Sequence, residues 1–131
     1  MSRLRSLIER SYSPYSGFRV ASIAVDEEGR AYPGVNVENA SYGLTMCAER
    51  VAIFNAITSG ARRIKRIYVA SEAEEPVPPC GACLQVMAEH GGPDMEVTLV
   101  SLTSGAIRRY RLKDLLPHAF TPDMLEGGRS E

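Results

Sequence analysis

The sequence is sparing with residues that build metal and disulfide sites: three cysteines and two histidines in 131 residues. Three thiols with none left over for pairing exclude a disulfide framework and point to a reducing, intracellular setting. Neither His90 nor His118 has ligand spacing to the cysteine motifs, which disfavours a histidine as a metal ligand. Charge of one sign is also missing, with a net charge of −1. That leaves no global attraction to nucleic acid or to an anionic membrane. No apolar run approaches a membrane span, and the N-terminus lacks the apolar core of a signal peptide. The expectation is a cytoplasmic protein.

What is present is ordinary for a globular chain, with 44% hydrophobic and 24% charged residues. The length suits one compact domain, expected over residues 1–126, with a tail at 127–131 that frays. Leu4, Leu7 and Ile8 follow helical spacing and predict a short helix over 2–10. Strands are expected over 18–26 and 31–37, and Pro33 marks the second as irregular or at an edge. A helix capped by Thr45 or Met46 is expected to run to Ser59, and apolar residues on nearly all its faces predict a buried central helix. Then come a strand over 64–71, a proline-rich loop, and a helix from Cys80 to Glu89 stopped by Gly91-Gly92-Pro93. Strands over 96–102 and 107–112 and a short helix over 113–116 complete the pattern. Such alternation implies an α/β sandwich with helices on a five-stranded sheet.

Every cysteine lies in one of two short motifs, Thr45-Met46-Cys47-Ala48-Glu49-Arg50 and Pro79-Cys80-Gly81-Ala82-Cys83. Three thiolates suit Zn²⁺, and a site short of four protein ligands leaves a position for water, the mark of a catalytic zinc. Cys80 and Cys83 are one helical turn apart and can face one ion. Both motifs fall at expected helix starts, where unpaired N–H groups and the helix dipole lower thiol pKa values. Glu49 stands beside the metal without being a ligand and can carry protons to and from the water. Three thiolates on a dication leave an excess negative charge, which a guanidinium from Arg50 would offset by donating to sulfur. Asn36 and Glu38 are one residue apart, so in an extended segment they point the same way and could hold a sugar's hydroxyls. The alternative for this pair is a role in stabilising a loop.

Three other readings compete. A structural zinc site needs a fourth protein ligand, a redox role would use Cys80 and Cys83 alone, and a nucleic-acid module would use the basic clusters at 62–66 and 108–111. Glu38 would repel a 3′-phosphate, which disfavours the last.

Together with Tyr12-Ser13-Pro14-Tyr15-Ser16 and Asn36-Val37-Glu38-Asn39-Ala40-Ser41-Tyr42-Gly43, the cysteine motifs closely resemble the zinc-dependent cytidine deaminases. The match is to their small homotetrameric class with three cysteine ligands, and it runs from about Tyr12 to Phe120. The signature matched is His or Cys, x-Glu, then Pro-Cys-x-x-Cys. The resemblance implies a three-layer α/β/α sandwich on a mixed sheet, with one zinc ion per subunit on Cys47, Cys80 and Cys83. It implies hydrolytic deamination of cytidine and 2′-deoxycytidine with Glu49 as proton shuttle and Arg50 on the sulfurs. Phe18 would cover the pyrimidine, the Ala48 N–H would meet its 2-oxo group, and Asn36 and Glu38 would hold the ribose 3′-hydroxyl. Tyr42 and Phe120 would reach into a neighbouring subunit's pocket. A modified cytosine nucleoside, or less favourably a nucleic acid, is the alternative substrate. The chain departs from the family pattern at Leu84, where arginine is usual, at Pro78, where serine is frequent, and at Val20-Ala21-Ser22, where Val-Gly-Ala is common.

Overall fold

The computed structural model describes residues 1–121 and Met124; the tail expected over 127–131 lies outside them. The chain opens with α1 (Ser2–Leu7), extended by a 3₁₀ turn over Ile8–Arg10. Strands β1 (Val20–Asp26) and β2 (Ala31–Val35) follow as an antiparallel pair. Asp26 fixes the turn between them: its carboxylate accepts from the Glu28 and Arg30 N–H groups, both at 2.9 Å, and from the Tyr32 hydroxyl at 2.8 Å. Then come α2 (Ala48–Thr58), β3 (Ile64–Ser71), α3 (Gly81–Gly91), β4 (Glu96–Ser101), β5 (Ile107–Arg111) and the single turn α4 (Leu112–Leu115).

The five strands form one sheet in the order β2-β1-β3-β4-β5. β3 and β4 pair in parallel and every other pair is antiparallel, so the sheet is mixed. A parallel pair needs a crossover connection, and α3 supplies it. Pro33 lies in β2, which is an edge strand, where a missing N–H costs no ladder bond on the open side.

Two cores flank the sheet. On one face Ile53, Ala52, Leu84 and Met87 of α2 and α3 pack on Ile67, Val69, Val97 and Leu99. On the other, Leu4 and Ile8 pack on Ala21, Ile23, Ala70 and Val100. This is the three-layer α/β/α arrangement. No helix among the described residues is long and apolar enough to cross a membrane.

Three expectations need correction. The N-caps of α2 and α3 are Cys47 and Cys80 themselves, not Thr45 or Met46 for the first. α2 is not enclosed on all sides: Phe54 and Ile57 are exposed, because the sheet covers only the opposite face of the helix. β1 and β2 are shorter than read, leaving Phe18, Asn36 and Glu38 in the segments just outside the strands.

α2 lies directly on β2 and β1, and Gly34 permits the approach. A Cβ at Gly34 would stand 2.3 Å from the Ala52 nitrogen and 2.6 Å from the Ala48 oxygen, both backbone atoms that cannot turn aside. Gly34→Ala is therefore expected to lower unfolding free energy by about 3 kcal/mol in chemical denaturation. A loss below about 0.5 kcal/mol, within the usual scatter for surface changes, would show that the contact is slack.

Candidate active site

The two helix starts place all three cysteines at one point. Cys47 is extended (φ −74°, ψ 150°) and its carbonyl accepts from the Val51 N–H at 3.1 Å, which opens α2. Cys80 does the same for α3, accepting from Leu84 N–H at 3.0 Å. Neither helix has a side-chain cap, so no capping side chain takes up its first-turn N–H groups. Cys83 follows one turn into α3 and is buried.

The Cys47 and Cys80 sulfurs are 3.8 Å apart, those of Cys80 and Cys83 3.3 Å, and all three lie within 4.8 Å of one another. A disulfide needs about 2.05 Å, so the three are free thiols. A tetrahedral zinc with bonds of about 2.3 Å separates its sulfurs by about 3.8 Å, the distance between Cys47 and Cys80 and close to that of the other pairs. Arg50 Nη2 donates to Cys47 Sγ at 3.5 Å, while its buried Nε has no partner among the described residues. The proton within the cluster is unevenly held. The nearby Cys83 thiol, with help from Arg50, holds the Cys47 thiol below its ordinary range. The same closeness, with burial, pushes Cys83 well up. Three sulfurs this close ionise together only around a cation, and no histidine, aspartate or glutamate among the described residues joins the group. The donor set fits one zinc ion with a fourth position left open.

Beside the sulfurs is a cavity of about 290 Å³ at the carboxyl end of β3. Its walls include Cys47, Ala48 and Glu49 from the start of α2, Phe18, Asn36 and Glu38 from the segments flanking the strands, and Val69 and Ser71 from β3. Crevices at the carboxyl ends of strands are the usual ligand sites of open α/β sheets. Glu49 is only 5% exposed, and burial pushes its carboxyl up to about 7. Phe18 sits at the lip, half exposed.

Asn36 and Glu38 both reach the cavity, and both also hold the loop that forms its rim. Asn36 Oδ1 accepts from the Val20 N–H at 3.0 Å and from the Ser11 hydroxyl at 2.5 Å, and its Nδ2 donates to the Phe18 carbonyl at 2.8 Å. Glu38 accepts from the Tyr15 and Ser16 N–H groups at 2.9 and 3.0 Å and from the Ser16 hydroxyl. Those hydroxyl and N–H bonds from Ser16 and Tyr15 keep the Glu38 carboxyl below the usual carboxylate range. A carboxylate has about four acceptor sites, so Glu38 keeps room for a further donor.

Tyr42 and Phe120 do not line this cavity. Tyr42 is 76% exposed and packs edge-on against Tyr15, ring centres 6.4 Å apart, over a shallow hollow that shares Ser16, Glu38 and Thr45 with the cavity rim. Phe120 is exposed, and its carbonyl accepts from Gln85 Nε2 at 2.6 Å. Leu84 is buried in the core, so this departure from the family pattern is an apolar contact in place of a polar one. Arg66, Arg109 and Arg111 line a different hollow together with Glu96 and Asp114, a mixed-charge surface rather than a basic groove. Sequence reasoning missed Ser16, Val69, Ser71 and Val77 as wall residues. For Ser71 a signal existed: it follows Ile67 and Val69 at the two-residue period of a buried strand face, where an apolar residue is expected.

The chain matches the family described as "Cytidine and deoxycytidylate deaminase zinc-binding region" over residues 1–99. It is 47% identical over 115 residues to a cytidine deaminase of Halalkalibacterium halodurans, covering 88% of this chain and 86% of that protein. A cytidine deaminase of Mycobacterium tuberculosis is 40% identical over 115 residues, covering 88% of this chain and 82% of that protein. Among solved structures, the cytidine deaminase from Burkholderia pseudomallei superposes with a TM-score of 0.86 at 45% identity, over 91% of this chain and 94% of that one.

Proposed function

Because this chain belongs to the cytidine and deoxycytidylate deaminase zinc-binding family, we propose that it hydrolyses cytidine and 2′-deoxycytidine to uridine and 2′-deoxyuridine. Ammonia is the other product. One observation carries the reading: Cys47, one of three clustered sulfurs, and the buried carboxyl of Glu49 line the same cavity of about 290 Å³. Cys47, Cys80 and Cys83 hold the zinc, which when bound lowers the pKa of water towards neutrality.

The remaining chemistry belongs to the chain's own side chains. Glu49 is buried beside the sulfurs and is free of the metal cluster, so it is the proton carrier. It accepts a proton as water adds at C4, delivers it to N3, then takes the proton of the new C4 hydroxyl and hands it to the departing amino group as the C4–N bond breaks. Arg50 draws charge from Cys47. The Ala48 N–H, unpaired in the first turn of α2, is placed to donate to the 2-oxo group. Phe18 covers the pyrimidine, while Asn36 and Glu38 take the ribose 3′-hydroxyl. Free thiols at the metal suit a reducing, cytoplasmic setting.

The same reading makes the protein a homotetramer. Phe54, Ile57, Tyr42, Leu44 and Phe120 are large apolar side chains left exposed on one chain. Large apolar side chains left exposed suit subunit contacts. Tyr42, on the cavity rim, and Phe120 then complete a neighbour's site rather than their own.

Ammonia release is expected from cytidine and 2′-deoxycytidine but not from cytosine, which gives Asn36 and Glu38 nothing to hold. Glu49→Gln is expected to keep its zinc while losing about 10²- to 10⁴-fold in turnover. Near-normal turnover of a fully zinc-loaded variant would remove Glu49 from the mechanism. Light scattering is expected to give four times the chain mass. Mixed assemblies of Glu49→Gln and Tyr42→Ala chains are expected to regain activity that neither has alone; a monomer, or no recovery on mixing, would refute the shared site.

A further inference from the structure

Ser71 ends β3 on the floor of the cavity, only 3% exposed, and its Oγ has no hydrogen-bond partner among the described residues. The neighbouring buried serines are satisfied within the protein. Ser22 Oγ donates to the Tyr68 carbonyl at 2.8 Å, and Ser101 Oγ to the Ala73 carbonyl at 2.6 Å. The sheet fixes the position of Ser71, which pairs with Val20 on one side and Ser101 on the other. Its carbonyl accepts from the Leu102 N–H at 2.8 Å. A buried hydroxyl held this firmly and left unpaired is destabilising unless a ligand or water answers it.

The orientation of a bound pyrimidine indicates what would answer. Cytosine carries O2, N3 and its amino group on one edge, and only C–H groups at C5 and C6. On the deaminase reading above, on which this inference rests, the polar edge faces Ala48 and Glu49 at the start of α2. The C5–C6 edge then faces the strand side of the cavity, where Val20, Val69 and Ser71 stand. Two valines suit a C–H edge. Ser71 does not: an unsubstituted ring offers it no polar atom, whereas a polar group on C5 does.

We propose that Ser71 is a specificity residue for the pyrimidine 5-position, and that the substrates include cytosine nucleosides carrying a small hydrogen-bonding group at C5, such as hydroxymethyl. A hydroxymethyl group can both donate to and accept from the serine hydroxyl, whereas a methyl of nearly the same size can do neither.

The test compares kcat/KM for 5-hydroxymethyl-2′-deoxycytidine and 5-methyl-2′-deoxycytidine in the wild-type enzyme and in Ser71→Ala, with 2′-deoxycytidine as reference. The hydroxymethyl-to-methyl ratio is expected to fall about five- to tenfold in Ser71→Ala, the worth of one neutral hydrogen bond. Equilibrium binding of the two products, 5-hydroxymethyl-2′-deoxyuridine and thymidine, is expected to shift in the same direction. A purely structural serine would lower both substrates alike and leave the ratio fixed, which would overturn the proposal. So would binding in which the two products keep their wild-type ratio. Failure of the wild-type enzyme to act on 2′-deoxycytidine would instead bring down the deaminase reading, and this proposal with it.

Discussion

Three sulfurs held within 4.8 Å of one another set the terms for everything else in this molecule. Two thiolates at about 4 Å repel by about 4 kcal/mol at an effective dielectric of 20. Three such pairs amount to about as much as the entire folding stability of an ordinary domain, about 5–15 kcal/mol. The cluster is therefore tolerable in two forms: partly protonated, as the divergent proton affinities of Cys47 and Cys83 describe, or wrapped around a cation. Zinc is the cation that matches the donors and their spacing.

The fold serves this constraint by bringing two helix starts together. Cys47 and Cys80 each begin a helix, so the positive ends of α2 and α3 converge on the sulfurs and share the work of the dication. α2 reaches its place because Gly34 lets it lie on the edge strand β2, and α3 reaches its place as the crossover between the parallel strands β3 and β4. The segment that enters β1 and the segment that leaves β2 border the cavity. Asn36 and Glu38 stitch those segments together, and Glu38 keeps acceptor capacity for the cavity. The three sulfurs, the buried Glu49 and the Asn36–Glu38 pair are thus fixed by neighbouring strand and helix ends.

The metal residues were legible in the sequence because their chemistry is carried by identity and spacing alone. Cysteines one turn apart on a helix, with a carboxylate two residues beyond the third thiol, read the same before and after folding. The element boundaries were less legible for a definite reason. Thr45 looks like a cap because its hydroxyl can accept an N–H, whereas the actual caps are cysteines that make no side-chain cap bond. α2 was read as enclosed because its apolar residues surround the helix. A sequence does not distinguish a face covered by its own sheet from one left uncovered, which is where Phe54 and Ile57 stand. The exposure of Tyr42 and Phe120 belongs to the same limit. Ser71 carried only a faint signal, a serine at the apolar period of a buried strand; its burial with no partner among the described residues is what sets it apart.

The central claim is that one metal ion sits on the three sulfurs with its fourth position left to solvent. X-ray absorption at the zinc edge of the purified protein measures this directly. The expected result is one zinc per chain with three sulfurs at about 2.3 Å and a single oxygen at about 2.0 Å. A histidine nitrogen or a further sulfur in the fourth place, or protein that folds and turns over substrate with no zinc at all, would contradict the account.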